Sequence, residues 1–509
     1  MFGWLKNILT QTVAGKGDSR AIVARQRMVR ATFDTAYTTT QNRRHWAHAD
    51  FLSANAAARP DVRRVIRNRA RYEVANNSYA RGMILTLAND VIGTGPRLQM
   101  LLSQYSDGEN DGGKNVNGLI EREFAAWAKA VDLPGKLRTM RMSRAQDGEA
   151  FGLLHTNMAL DHPVKLDLKL IECDQVSTPM MSLPTPTFVD GIVLDQAGNP
   201  VQYHVLKYHP GDFLHTMPLK YDTIPAAFVI HWFRKDRPGQ SRGLPDIMPA
   251  LPLFAQLRRY TLAVISAAES AANIAIFMKT SAPPGGEAAD VPPNSTMEFE
   301  PNMAVFGPEG WEPSQIKAEQ PATTYEMAKR EFLNEIARCL NMPYNIAAGN
   351  SSGYNYSSGR LDHQTYYKSI RVEQAHLEAV ALDRILCAWL EEAVRVFDID
   401  LPDVGELSRM PHQWFWDGHE HVDPAKEANA QTQRLASNTT TLATEFARQG
   451  KDWETELRQR AREVALMKEL GLPIEVAKPN LEPATPAEPQ DKQDEEDAGD
   501  NPQRKPKAA

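Results

Sequence analysis

The chain has 509 residues, is 42% hydrophobic and 24% charged, and carries a formal net charge of −7. That ordinary globular composition excludes a fibrous or wholly disordered chain, and the length leaves room for several structural units. The negative balance excludes a molecule that grips nucleic acid with its whole surface. The three scattered cysteines, Cys173, Cys339 and Cys387, exclude a disulfide framework or a cysteine zinc site and suit a reducing compartment.

Charge is unevenly spread. Twelve arginines lie between Arg20 and Arg71, whereas the C-terminal tail is acidic. Residues 1–58 keep no apolar period and read as a basic arm. Met1 to Leu9 lack a continuous apolar core and a cleavage site, so no signal peptide is expected. The most apolar later window, Leu262 to Met278, is too short and too polar to span a bilayer.

From Asp61 the spacing of Val62, Val65, Ile66, Ala70, Tyr79, Met83, Ile84, Leu87 and Val91 predicts one helix, stopped at Gly93-Thr94-Gly95-Pro96. Arg63, Arg64, Arg67, Arg69 and Arg71 crowd its start. They are candidate contacts to phosphate or to a neighbouring subunit. Gly108 to Asn115 falls short of a phosphate loop, because Asn115 stands where Ser or Thr must hold magnesium and no strand precedes it.

Residues 150–235 change period. Leu166, Leu168 and Leu170 alternate with charged residues as a half-buried strand does. Ile192–Leu194 and Val201–Val205 flank turn residues 195–200, and Phe228–Phe233 is a further strand. Asp147 and Glu149 are paired carboxylates, but no partner constellation for acid–base catalysis accompanies them. Pro249 to Met278 predicts a long helix with an Ala/Ser-rich face that suits close packing against copies of itself. Residues 280–321 are a Pro/Gly-rich excursion.

Thr323 to Leu340 is the next helix, with Tyr325, Ala328, Phe332, Ile336 and Leu340 in one stripe. A polar loop follows, and a long helix is predicted from Leu361 to about Val396. His419 and His421 beside Asp417 resemble metal ligands, but no third ligand stands in the right context, so no metal or other cofactor is expected. Asp423 starts a helix that Gly450 closes, and another runs from Asp452 to Gly471. The remainder is Pro-rich, acidic and expected to be disordered. Gly349-Asn350-Ser351-Ser352-Gly353 spells the nucleophile elbow of serine hydrolases. That device needs a strand before the serine, and here a helix precedes it.

Arg71 to Asn77 with Ala80-Arg81-Gly82, and Asn89 to Pro96, resemble the opening of the lambda-family portal proteins of tailed phages. So do Asp147-Gly148-Glu149, Asp190-Gly191-Ile192, and His231 through Arg242-Gly243-Leu244-Pro245. The helix–loop–helix around Gly349 and Val422 to Glu427 are similar too. The likeness spans roughly residues 20–475. It implies a mainly α subunit with a small antiparallel β region (α+β), assembling into a ring, usually of twelve copies, at one capsid vertex.

Such a ring is a structural conduit and not an enzyme. Double-stranded DNA passes through it on packaging and ejection. The implied partners are other copies of the chain, the terminase large subunit, the major capsid protein and head-completion proteins, with no membrane. The implied location is the virion, after assembly in the host cytoplasm. The family's parts map as an arm (1–58), wing (59–248), stem helix (249–279), clip (280–321), second stem helix (322–344), tunnel loop (345–360), long helix with a return to the wing (361–410), crown (411–475) and tail (476–509). The DNA-facing residues implied are Asn350, Ser351, Ser352, Tyr354, Asn355, Tyr356, Ser357, Ser358 and Arg360. A different oligomeric virion or scaffold protein, or a serine hydrolase using Ser351, are the alternatives.

Overall fold

The computed structural model describes residues 51–102, 112–178, 185, 187–212, 220–273, 277–280, 311–314, 322–353, 355–401, 406–418, 424–451 and 453–472. Among these the chain is mainly helical with small antiparallel sheets. No described helix is long and apolar enough to cross a membrane. Residues 1–50 of the basic arm, most of 280–321, the acidic tail, His419 and His421 lie outside the described residues.

After α1 (Ala54–Ala57), α2 (Pro60–Asn76) starts with Pro60 in its first turn, where the missing N–H has no partner to lose. The one helix expected here is two. Asn77 leaves helical geometry, and its side chain accepts from the amides of Tyr79 and Ala80, which caps α3 (Ser78–Ile92). Gly93, at φ +57°, stops α3. Then come β1 (Arg97–Met100), α4 (Gly112–Ala130) and α5 (Leu133–Asp147).

β2 (Glu149–Thr156) is the centre of a three-stranded antiparallel sheet between β3 (Leu166–Ile171) and β8 (Val229–Phe233). A four-stranded meander runs β4 (Phe188–Val189), β5 (Ile192–Leu194), β6 (Pro200–Leu206), β7 (Tyr221–Pro225). Its turn is the expected one, with Asp195 accepting from the Asn199 amide at 2.7 Å. Phe151, Val176, Ile192, Tyr203, Val205 and Val229 form a small core that joins the two sheets.

α6 (Leu251–Asn273) ends before the expected Met278, because Phe277–Thr280 is β9 and pairs with β10 (Trp311–Ser314). α6 lies against α7 (Ala322–Arg338), where Tyr260 stacks on Tyr325 with centroids 5.8 Å apart. α8 (Tyr344–Ala348) follows. α9 (Tyr356–Leu377) begins five residues before the expected start at Leu361 and continues through a π-turn (Glu378–Leu382) into α10 (Asp383–Val396).

β11 (His412–Phe415), unforeseen from the sequence, pairs with β1 across more than 300 residues. α11 (Pro424–Ala436) and α12 (Leu442–Arg448) replace the single helix expected before Gly450, with Asn438 at φ +55° in the break. α13 (Trp453–Glu469) ends the described chain. The main core gathers α3, α4, α5, α9 and α10. At its centre Phe124 lies 5.3 Å from Trp127, 5.3 Å from Trp389 and 5.7 Å from Trp414. Each such buried ring contributes on the order of 1.5–3 kcal/mol, which fixes α4, α10 and β11 together.

Candidate functional site

The polar loop is shorter than the sequence implies. Gly349, at φ +61°, ends α8 in the left-handed conformation that glycine adopts without strain. Asn350, Ser351 and Ser352 are exposed, and Gly353 turns at φ +81°. The Asn350 side chain accepts from the Ser352 amide at 2.9 Å, and the Asn350 amide donates to the Asn345 carbonyl at 3.0 Å. Tyr354 lies outside the described residues.

Asn355 is the N-cap of α9, its side chain accepting from the Ser358 amide at 2.8 Å. Tyr356, Ser357, Ser358 and Arg360 therefore belong to the helix, not to the loop, and Ser358 and Arg360 are exposed. The expected sixteen-residue loop reduces to 349–355, because asparagine at 355 supplies a cap that an apolar period cannot reveal.

No elbow forms at Ser351. A helix precedes it, and His363 is engaged elsewhere, 2.9 Å from the Asn345 side-chain nitrogen.

The arginines of α2 divide by helical phase. Arg63, Arg67 and Arg71 recur every four residues and share one face; Arg64 and Arg69 stand off it and are exposed. The expectation of outward contacts is corrected for Arg63 and Arg67, which are buried, and Arg71 also turns toward its own chain. Their partners are acids from distant segments. Glu149, wholly buried, accepts from Arg63 at 3.0 Å, from Arg242 Nη2 at 2.6 Å and Nε at 2.8 Å, and from the Gly243 amide at 3.1 Å. His231 Nε2 lies 3.1 Å from the same carboxylate.

Asp190 bonds both Arg63 and Arg242. Arg67 meets Asp174 at 2.6 Å, and Arg71 meets Asp147 at 2.6 Å. Glycines make the closure possible. A Cβ on Gly148, at φ +94°, would strike the Leu244 backbone, and one on Gly243 would strike the Gly148 carbonyl.

The electrostatics follow from this packing. Burial alone would raise the Glu149 carboxyl, but Arg242, the His231 hydrogen bond and Arg63 hold it well below the ordinary 4.5. Burial lowers Arg63 to about 9, still charged at neutral pH. Burial also lowers His231, so its imidazole is neutral there. Asp147 and Glu149 thus neutralise arginines. Nothing described near them supplies a substrate position.

A second buried ionic group lies beside it. Arg141 bonds Asp246 at 3.0 Å and Glu373 at 2.7 Å, and Arg144 sits 5.1 Å from the Trp232 ring. It binds α5 and the 246 loop to α9, the helix that carries the polar loop.

Glu172, Asp174 and His209 converge as metal ligands do, with His209 Nε2 3.3 Å from Glu172 and 3.6 Å from Asp174. The chemistry argues against a cation. His209 Nδ1 accepts the Gly211 amide at 3.0 Å, which places the ring proton on Nε2, the atom that faces the acids. Arg71 already bonds both carboxylates, at 3.3 and 2.9 Å.

Sequence motifs far apart therefore meet. Asp147-Gly-Glu149, which the sequence offers as paired carboxylates, and Asp190-Gly191, His231 and Arg242-Gly243, which it offers only as a family likeness, form one buried knot with α2. Only their separate spellings were visible; the pairing of Glu149 with Arg242, 93 residues on, leaves no local period. Asp174, Cys173 and the Asp246–Glu373 group carried no sequence signal.

Residues 40–374 match the family described as phage portal protein, lambda family. The chain belongs to that family. The portal-family match takes in the knot and the polar loop and ends within α9, before the π-turn. A probable portal protein of Halomonas phage phiHAP-1 is 26% identical over 428 residues, 80% of this chain and 81% of that one. Among solved structures, the chain resembles a chain of the neck of an empty gene transfer agent particle computed with C6 symmetry. There the identity is 11%, the TM-score 0.45, and coverage 75% of this chain and 92% of the other. For a chain of the native particle's virion the figures are 12%, 0.42, 80% and 93%. The chain is a phage portal protein by family and portal-type by fold class.

Proposed function

We propose that this portal subunit closes into a ring at one capsid vertex and that double-stranded DNA moves through the ring during packaging and ejection. Loop 349–355 faces the duplex. The observation that carries this is the character of that loop: uncharged, exposed at Gly349–Gly353 and Asn355, and held between α8 and the capped start of α9. A conduit must hold DNA loosely, since every strong phosphate contact slows passage. Asn, Ser and Gly offer weak backbone contacts and no base readout, with Arg360 one turn behind.

In this reading α6 and α7 are the stem, the segment from β9 to β10 borders the clip, residues 59–248 form the wing, and α11–α13 form the crown. The exposed apolar side chains Leu262 and Ile265 of α6 support contact with a neighbouring copy. The terminase and head-completion proteins would dock at the clip and the major capsid protein around the wing. The role is structural, in the virion, without catalysis.

Imaging and native mass measurement of the purified chain test this directly. Closed rings with a central channel are expected, and a clean monomer at assembly concentrations overturns it. Removing Asn350–Gly353 is the second test. Rings should persist while DNA packaging or retention falls; loss of the ring would make the loop a packing element. The cut stops before Asn355, whose side chain caps α9.

A further inference from the structure

The helix from Tyr356 to Val396 is interrupted once, by the π-turn at Glu378–Leu382. Residues five apart on a regular α-helix point about 140° away from each other. A π-turn closes i to i+5, so residues five apart stack on one face. Glu378 and Asp383 are five apart and flank this turn. Glu378 accepts from the Trp416 indole at 2.5 Å. Asp383 accepts from the Trp414 indole at 2.9 Å and lies 3.1 Å from His412 Nε2.

His412, Trp414 and Trp416 alternate along β11 and just beyond it, so they share one face of the strand. Two carboxylates brought into line by the π-turn thus meet two indoles brought into line by the strand.

The chain then reaches its C-terminal helices immediately. Asp417 accepts from the Thr94 amide at 2.5 Å and from its hydroxyl at 2.7 Å. Arg97 bonds both Asp417 and the Gly450 carbonyl. Gly418 and Gly450 bring the segments before α11 and after α12 into backbone contact. A Cβ on Gly450 would press on the Trp416 carbonyl and Gly418 nitrogen, and one on Gly418 on the Arg448–Gln449 backbone.

We propose that Glu378 and Asp383 are positioning residues, presented in register by the π-turn, and that their hold on Trp416 and Trp414 fixes where α11–α13 leave the body. An ordinary surface hydrogen bond would stabilise its own neighbourhood only. A joint at this place governs the order of everything that follows it.

Hydrogen exchange by mass spectrometry on the full chain tests this with Glu378→Ala, Asp383→Ala and Glu378→Gln. The two alanine variants should exchange about tenfold faster over 412–418 and 424–451, the signature of a local opening. Residues 60–92 and 356–374 should stay at the wild-type rate. Glu378→Gln keeps an acceptor oxygen for Trp416 and should stay within about twofold of wild type over the same segments. Unchanged exchange over 412–451 in both alanine variants overturns the proposal. So does a uniform rise that includes 60–92, which would make these residues general stabilisers. A Gln variant as labile as Ala would show that the indole's acceptor is not what holds the joint.

Discussion

Around Glu149 the side chains of three arginines and a histidine are almost wholly inside the protein, whereas Asn350, Ser351 and Ser352 are exposed. In sequence the first region looks like a surface for nucleic acid and the second like linker. The fold reverses both impressions. Arginines four residues apart on a helix become an internal scaffold when acids from other segments reach them. An uncharged loop becomes the exposed element when rigid helices bracket it. Density of charge in a sequence measures neither exposure nor partner. What decides is whether the chain supplies counter-charges of its own.

The widest separation between the two regions comes from Glu149→Ala. Removing the one carboxylate shared by Arg63, Arg242 and His231 leaves the two buried arginines with Asp190 as their remaining counter-charge, an effect of about 3–5 kcal/mol, read by chemical denaturation or as loss of soluble chain. Arg242→Lys should follow at about 1.5–3 kcal/mol, because an ammonium cannot reproduce the paired Nε and Nη2 bonds.

Acid sharpens the comparison further. His231 is held below its ordinary 6.5 by burial, so the unfolded chain binds a proton that the folded one refuses. Its contribution is complete above about pH 6.5 and is lost as pH falls through its folded value. His204 and His376 act in the same direction and His412 in the opposite one. Melting temperatures at pH 7.5 and 5.5 should therefore differ less in His231→Asn than in the wild type.

Substitutions at the exposed end should barely register. Arg64→Ala with Arg69→Ala should stay within about 0.5 kcal/mol of wild type. Ser351→Ala should leave stability within the same margin, and DNA packaging unchanged as well. A loss of esterase activity on Ser351→Ala would revive the hydrolase alternative.

Much of the architecture was legible because helical and strand periods are local. Apolar spacing marks α7 and β3, the turn residues 195–200 mark β5 and β6, and a capping Asp452 with Gly471 marks α13. The misses were local chemistry or long-range pairing. Asn77 and Asn355 cut or extend helices by capping, which an apolar count ignores. β11 is four residues long and finds its partner across the whole chain. The five arginines were noticed, but only their phase, 63–67–71 against 64 and 69, tells which ones turn inward. That phase was already present in the sequence; the acids that meet them were not identifiable, because nothing local links position 63 to position 149 or 190.

The order in which the knot's members are made has its own consequence. Arg63 precedes Glu149 by 86 residues, and Arg242 follows Glu149 by 93. At about 5–20 residues per second, the ribosome delivers Arg242 on the order of 5–20 s after the carboxylate it clamps. Through that interval Glu149, the first residue of β2, has Arg63 within reach but lacks the paired guanidinium bonds of Arg242. The knot around Glu149 is therefore incomplete until the Arg242-Gly243 turn has emerged. A pause in translation shortly before that turn would lengthen the period in which this part of the chain is open to chaperones, proteases and polyanions.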